Sequence, residues 1–263
     1  MNRKKCIFCN RNLSGERSRE HIFPQWLLDH LQIRDEEISP THYSRVTSQV
    51  VSTRHHTLDG LLAGRVCRAC NNGWMDRLEA AVKENLISLI AAEKVVVDLE
   101  ANERVNIARW VAKTTYLLNF ASNYYKNIPI DHYHYLYSHN DSLPLGAAVF
   151  AQQHHGDSKF YWLQQAEWRF KTPNKPGKRL LRVLQTSSYK ITLQFGKLLL
   201  MIAYLHDPNL RLVMWSGIHV PLWPRRGPIG WYDREDFPWD NSFEAILAFH
   251  HGLEVAHKDA FQA

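Results

Sequence analysis

The sequence has no run of 18 apolar residues, so it predicts no membrane-spanning helix. Its start, Met-Asn-Arg-Lys-Lys-Cys, is basic, but no apolar stretch follows to make a secretory leader. Internal repeats and low-complexity tracts are absent, which excludes solenoids, propellers and long disordered arms. Cysteine is scarce at four residues in 263, and none is left over from two C-x2-C pairs. A disulfide framework needs an oxidising compartment and usually a leader, so the expectation is a cytoplasmic chain whose thiolates hold Zn2+. Charge is mildly one-sided: Lys and Arg total 32 against 26 Asp and Glu, for a net +6. That excess suits an anionic partner such as nucleic acid without demanding one.

Apolar content of 45% and charged content of 22% are those of an ordinary globular chain, long enough to bury a core without staples. Residues 1–17 read as a first knuckle, with Cys6-Ile7-Phe8-Cys9 at a tight turn. Ile22-Phe23 reads as a strand or its end. Pro24 opens a helix over Gln25–Gln32. Thr41–Thr53 mixes polar and β-branched residues as a hairpin or ordered loop, and Asp59-Gly60 marks a turn. After Cys67-Arg68-Ala69-Cys70, apolar residues at helical spacing predict one helix over Trp74–Ala92 and a second from about Glu100 to Tyr125.

From about Gly146 the pattern turns to strands: 147–152, 160–170, 180–185, 189–195, 198–205, 210–215 and 217–222. His154-His155-Gly156-Asp157 and 173–177 read as hairpin turns, and Ser242–His257 reads as a closing helix capped by Asn241 or Ser242. The expected organisation is α+β: a zinc-braced module over 1–95, a helical connector over 96–145 and a β-rich domain over 146–263. Substrate recognition, homo-oligomerisation and ligand sensing all stay open for the last two. Nothing assigns a site to His132, His134, His139 or His154-His155, and Arg225-Arg226 reads as a solvated loop.

The chemistry concentrates between and just after the knuckles. Cys6, Cys9, Cys67 and Cys70 offer four thiolates to one tetrahedral Zn2+. The stretch between Cys9 and Cys67 is far longer than the roughly 12–20 residues of a simple ribbon, so it must hold a folded insertion. It contains Glu20-His21-Ile22-Phe23-Pro24, and Asn71-Asn72 follows the last cysteine. A neutral histidine takes a proton from water near neutral pH, while carboxylate and amide oxygens suit a hard cation. Neighbouring strand residues point to opposite faces, so Glu20 and His21 share a site only at a kink or a strand edge.

C-I-F-C, E-H-I-F-P and C-R-A-C-N-N-G-W together resemble the HNH endonuclease family, over residues 1–80. The resemblance implies a zinc-braced ββα-metal fold and phosphodiester hydrolysis in DNA first and RNA second, with restriction or phage defence as the setting. It implies His21 as the base. Glu20 with Asn71 or Asn72 would bind a catalytic Mg2+ or Mn2+. Arg17, Arg19, Arg65 and Arg68 flank these residues as phosphate contacts. The family's central asparagine is replaced here by Asp59-Gly60-Leu61-Leu62-Ala63-Gly64, which leaves Asp59 or a backbone carbonyl to orient His21. Met75 stands where a further histidine ligand would, so the implied metal shell is oxygen-rich. The competing reading is a zinc-ribbon nucleic-acid-binding or adaptor protein without catalysis.

Overall fold

A computed structural model describes residues 5–13, 18–43, 49–121, 126–157, 159–164, 168–171, 177, 184–224, 230–233 and 237–258. It is mixed α+β. The N-terminal part strings short elements between the knuckles: β1 (Glu20–His21), α1 (Gln25–His30), β2 (Glu37–Ile38), β3 (Thr41–Tyr43), β4 (Val50–Thr53), β5 (His56–Thr57) and β6 (Leu62–Ala63). These pair as three small antiparallel ladders, β1 with β6, β2 with β5 and β3 with β4. Thr41–Thr53 is therefore a hairpin, and the backbone bends at Ile22-Phe23 directly after β1.

A wide π-helical turn, Cys70–Met75, runs into α2 (Asp76–Ile90), where Leu78, Val82, Leu86 and Leu89 repeat at helical spacing and are buried. After it come α3 (Ala101–Ala121) and α4 (Ile130–Ser138). Every residue of α3 from Ile107 to Asn119 is buried, so this helix is a hub with protein on all sides. Some of its polar side chains bond within the protein. Arg109 Nη2 donates to the Leu136 carbonyl at 2.9 Å, and Thr115 Oγ1 donates to the Val111 carbonyl at 2.7 Å.

Two sheets follow. The strands are β7 (Ala147–Gln153), β8 (Lys159–Gln164), β9 (Arg169–Phe170), β10 (Tyr189–Gly196), β11 (Leu198–Tyr204), β12 (Leu210–Ser216), β13 (Val220–Trp223), β14 (Gly230–Asp233) and β15 (Glu254–His257). The first sheet is antiparallel in the order β13-β7-β11-β10-β8, and the second runs β14-β12-β15-β9. Alternation sorts the core. On β11, Leu198, Leu200 and Ile202 join the cluster around α3. Leu199, Met201 and Ala203 face a second cluster with α5 (Ser242–His251) and β12.

Three expectations change. Segment 154–157 is not a hairpin turn, since β7 and β8 are separated by β11 and β10; it crosses the β10–β11 hairpin tip, with His154 N donating to the Lys197 carbonyl at 3.0 Å. The closing helix stops at His251, where Gly252 caps it, and Glu254–His257 is strand β15. Asn241 caps its start by accepting from the Phe243 and Glu244 amides. Of the strand expected over 180–185, residues 180–183 lie outside the described residues, and 184–187 form a helical turn. Segment 173–176 and Arg225-Arg226 also lie outside the described residues.

One apolar cluster runs from Cys6 through α2 and α3 to Leu222, so the cysteine-bearing N-terminal part, the helical segment and the first sheet share a core. The β10–β11 tip docks on the end of α2. Gly196 has φ +54°, and a Cβ there would lie 2.8 Å from Ile90 Cγ2. Gln153 completes the joint by donating to the Leu89 and Lys94 carbonyls and accepting from the Val96 amide.

Candidate metal centre and the Glu20–His21 strand

The first knuckle closes because Asn10 takes φ 59°, a conformation asparagine tolerates, with its amide donating to the Cys6 carbonyl at 3.0 Å. In the second, the Cys70 amide points at the Cys67 sulfur at 3.4 Å. Chain contacts join the two knuckles: Ile7 N donates to the Arg65 carbonyl and Ser18 N to the Val66 carbonyl, both at 3.0 Å. The four Sγ atoms all lie within 4.8 Å of one another, a set that can hold zinc.

The electrostatics of the cluster call for a cation. The hydrogen bond with Cys70 holds the Cys6 thiol down at about 4, burial pushes Cys9 up to about 11, and the bond to Cys6 drives Cys70 upward. One thiolate forms readily and then opposes the rest. Four thiolates together require a positive ion among them.

β1 places Glu20 and His21 on opposite faces, as strand alternation demands. Glu20 is 6% exposed and points inward. Its Oε1 lies 3.3 Å from Nζ of Lys113, a wholly buried residue of α3, and that ammonium also meets Glu79 of α2 at 2.5 Å. Burial alone would pull the Lys113 ammonium down, but Glu79 and Glu20 outweigh it and hold the charge. Burial raises the Glu20 carboxyl, partly offset by Lys113, and the charge of Glu79 raises it further.

Glu79 also lines a cavity of about 200 Å³ together with Asn71, Asn72 and Asp76. The two asparagines lie inside the π-helical turn and cap no helix; Asn71 Nδ2 bonds Ser18 Oγ, tying the second knuckle to the residue two before Glu20. The pocket's oxygen donors are of the kind a hard divalent cation takes.

His21 faces the other way and is half-exposed. Its Nε2 lies 3.6 Å from Oδ1 of Asp59, which Arg34 Nε holds at 3.3 Å, with Gln25 Nε2 3.4 Å from the same imidazole nitrogen. Asp59, in the turn where the central asparagine was missing, is thus the group beside His21. Of the flanking arginines, Arg19 and Arg68 are exposed. Arg65 is engaged internally, donating to the Lys5 carbonyl at 3.1 Å with its guanidinium 5.5 Å from the Phe120 ring centroid. Arg17 lies outside the described residues.

The sequence reading missed Lys113 and Glu79. Lys113 was legible only as a cation four residues after Arg109 in an otherwise apolar helical stretch. Glu79 falls at helical spacing from Asn72 and Asp76, which puts all three on one helix face. No helix among the described residues is long and apolar enough to cross a membrane. No family model, curated protein or solved structure matches the chain.

Proposed function

We propose that this chain is a metal-dependent endonuclease that hydrolyses phosphodiester bonds in DNA, built on a zinc-braced module of HNH type. The observation that carries the reading is the four-cysteine cluster. It ties the strand bearing Glu20 and His21 to the helix start bearing Asn71 and Asn72, beside a cavity lined by oxygen donors.

In this reading His21 is the base. The Asp59 carboxylate, held by Arg34, stands 3.6 Å from its Nε2, and a neutral imidazole can take a proton from water. Asn71, Asn72, Asp76 and Glu79 line the cavity that would hold a divalent ion, and Glu20 joins them in this reading through the Lys113 ammonium it shares with Glu79. Bound there, Mg2+ or Mn2+ would supply positive charge to the scissile phosphate and the leaving oxygen. Among the described residues β1 pairs along one edge only, with β6, and the reading puts the phosphate at the other edge, between the two faces.

The test is nicking of supercoiled plasmid with and without Mg2+ or Mn2+. Wild type is expected to relax and linearise the plasmid. His21→Ala is expected to leave it intact while retaining one zinc per chain. Intact plasmid with wild type, across metals and across DNA and RNA substrates, refutes the proposal. One observation favours a second reading, a zinc-braced nucleic-acid-binding or adaptor protein without catalysis: the Lys113 ammonium already neutralises Glu20, the residue the metal would need. That reading predicts salt-dependent binding, no cleavage and indifference to His21→Ala.

A further inference from the structure

Between Glu37 and Asp59 the chain carries no acidic residue, but it holds two arginines and three histidines. The described part of this stretch forms one ribbon. β2 pairs with β5 and β3 with β4, and the Arg54 amide donates to the Pro40 carbonyl at 3.3 Å to join the two ladders. The strand from Val50 to Thr57 spans eight residues, or about 26 Å at the usual strand rise.

The 50–57 side of the ribbon buries little, while Ile38, Pro40, Thr41 and His42 opposite it are half-buried. Seven of those eight residues are exposed, on both faces, and Ile38 at the root packs against the core. Val50 and Val51, neighbours that point to opposite faces, are 56% and 57% exposed. A two-stranded hairpin with one side this exposed is marginal in water, and the 50–57 side adds little to the core of this protein. Its side chains bond across the ribbon: Ser39 Oγ meets His55 Nδ1 at 3.0 Å, and Thr41 Oγ1 meets Thr53 Oγ1 at 3.4 Å. Arg54, His55 and His56 form an exposed basic edge, and the carboxylates of Glu37 and Asp59 stop at the root. At that root Asp59 stands beside His21.

We propose that the ribbon of β2, β3, β4 and β5 is the duplex-DNA docking element of this chain and lies in the major groove. This rests on the nuclease reading for its purpose, since it places His21 at a fixed distance from a docked duplex. The major groove, about 12 Å wide, admits a two-stranded β-ribbon. Arg54, His55 and His56 meet phosphates, the hydroxyls of Ser39, Thr41 and Thr53 meet backbone or base edges, and the valine on the groove-facing side meets thymine methyls.

The test is fluorescence anisotropy of a labelled B-form duplex with the full chain, across a salt series and without added divalent metal. The variant Arg54→Ala/His55→Ala/His56→Ala is expected to bind at least about tenfold more weakly, with the salt slope falling by roughly 0.9 for each phosphate no longer neutralised. Its zinc content and melting temperature are expected to match wild type, since the three side chains are exposed. An RNA duplex of the same sequence is expected to compete poorly, because its deep, narrow major groove does not admit a ribbon. Equal binding by the variant, equal competition by RNA, or no duplex binding by wild type overturns the proposal. Failure here is distinguishable from failure of the nuclease reading. Cleavage with unchanged binding by the variant removes the ribbon alone, whereas ribbon-dependent binding without plasmid cleavage removes the nuclease alone.

Discussion

Replacing Lys113 with methionine is the sharpest perturbation of the interior, because it keeps the volume and removes the charge. At an effective dielectric of about 20, the 3.3 Å contact with Glu20 is worth about 5 kcal/mol of attraction. The closer contact with Glu79 is worth about 7 kcal/mol by the same formula, less solvent screening, since Glu79 is 21% exposed. Burying the three charges costs several kcal/mol each, so the triad's net contribution is small. Lys113→Met removes the attraction and the lysine's own burial cost but keeps that of the carboxylates, and Glu20 becomes an unpaired buried carboxylate. The expected loss is about 3–5 kcal/mol, measured by urea unfolding at about pH 8 with tryptophan fluorescence. The pH dependence identifies the cause. The Glu20 carboxyl already titrates above its ordinary value, and without Lys113 it rises further. A carboxyl raised in the folded state binds more protons there than in the unfolded chain. The penalty is therefore full above the folded pKa and shrinks as pH falls through it. The deficit should narrow between about pH 8 and pH 5, and Glu20→Gln combined with Lys113→Met should recover most of it. A loss below about 1 kcal/mol, or one of equal size at both pH values, would refute the argument.

Purified chain is expected to carry one zinc, and Cys70→Ser is expected to lower that content and the melting temperature; a chain stripped of metal that melts unchanged would contradict the cluster's role. Structural zinc sites contribute about 10–16 kcal/mol in small peptides, on the scale of a whole domain's stability. On the far side of the first sheet, burial pushes the Lys190 ammonium down to about 7, with Arg169 pushing the same way and Glu254 opposing. Between that value and the ordinary 10.5 the unfolded chain binds the extra proton, so stability should rise with pH across this window by at most about 5 kcal/mol. Lys190→Met should flatten that rise in urea-unfolding profiles; an unchanged slope would show that the lysine is not its source.

Elements with one dominant period were legible in the sequence. The alternating apolar residues of β10, the continuous apolar runs of β7 and β11, which face a core cluster on each side, and the 3.6-residue pattern of α2 identify themselves. The closing helix was overextended because Glu254–His257 continues an apolar pattern; Gly252 ends the helix and β12 claims the next residues as a sheet partner. Segment 154–157 looked like a hairpin turn because a turn signal does not say which strands it joins. Pairing order is a long-range property, and here Gly156 passes so close to Asp240 that a Cβ would lie 2.7 Å from its carbonyl oxygen. The cysteine clamp was legible because four thiols in two C-x2-C pairs have few uses. Lys113 was not, because its role depends on two carboxylates that come from β1 and α2, and no local pattern announces a buried cation.

Lys113 changes how the zinc-braced part relates to the rest of the chain. The cluster of cysteines fixes β1 against the start of α2, but it does nothing for the charge of Glu20 and Glu79. That charge is met from α3, a helix buried on all sides by α2, α4 and the first sheet. The sheet in turn fixes the end of α2 through Gly196 and Gln153. Residues 1–95 therefore hold the thiolates, the oxygen donors and His21, but not the cation that pairs with buried Glu20 and half-buried Glu79. Whatever binds at the Asn71, Asn72, Asp76 and Glu79 cavity meets a carboxylate whose position is set by Lys113. His21 is independent of this arrangement, since its partners Asp59, Arg34 and Gln25 all belong to the insertion between the knuckles. The His21 face and the Glu20 face of β1 are thus supported by different parts of the chain, and substitutions in α3 should disturb the second while leaving the first in place.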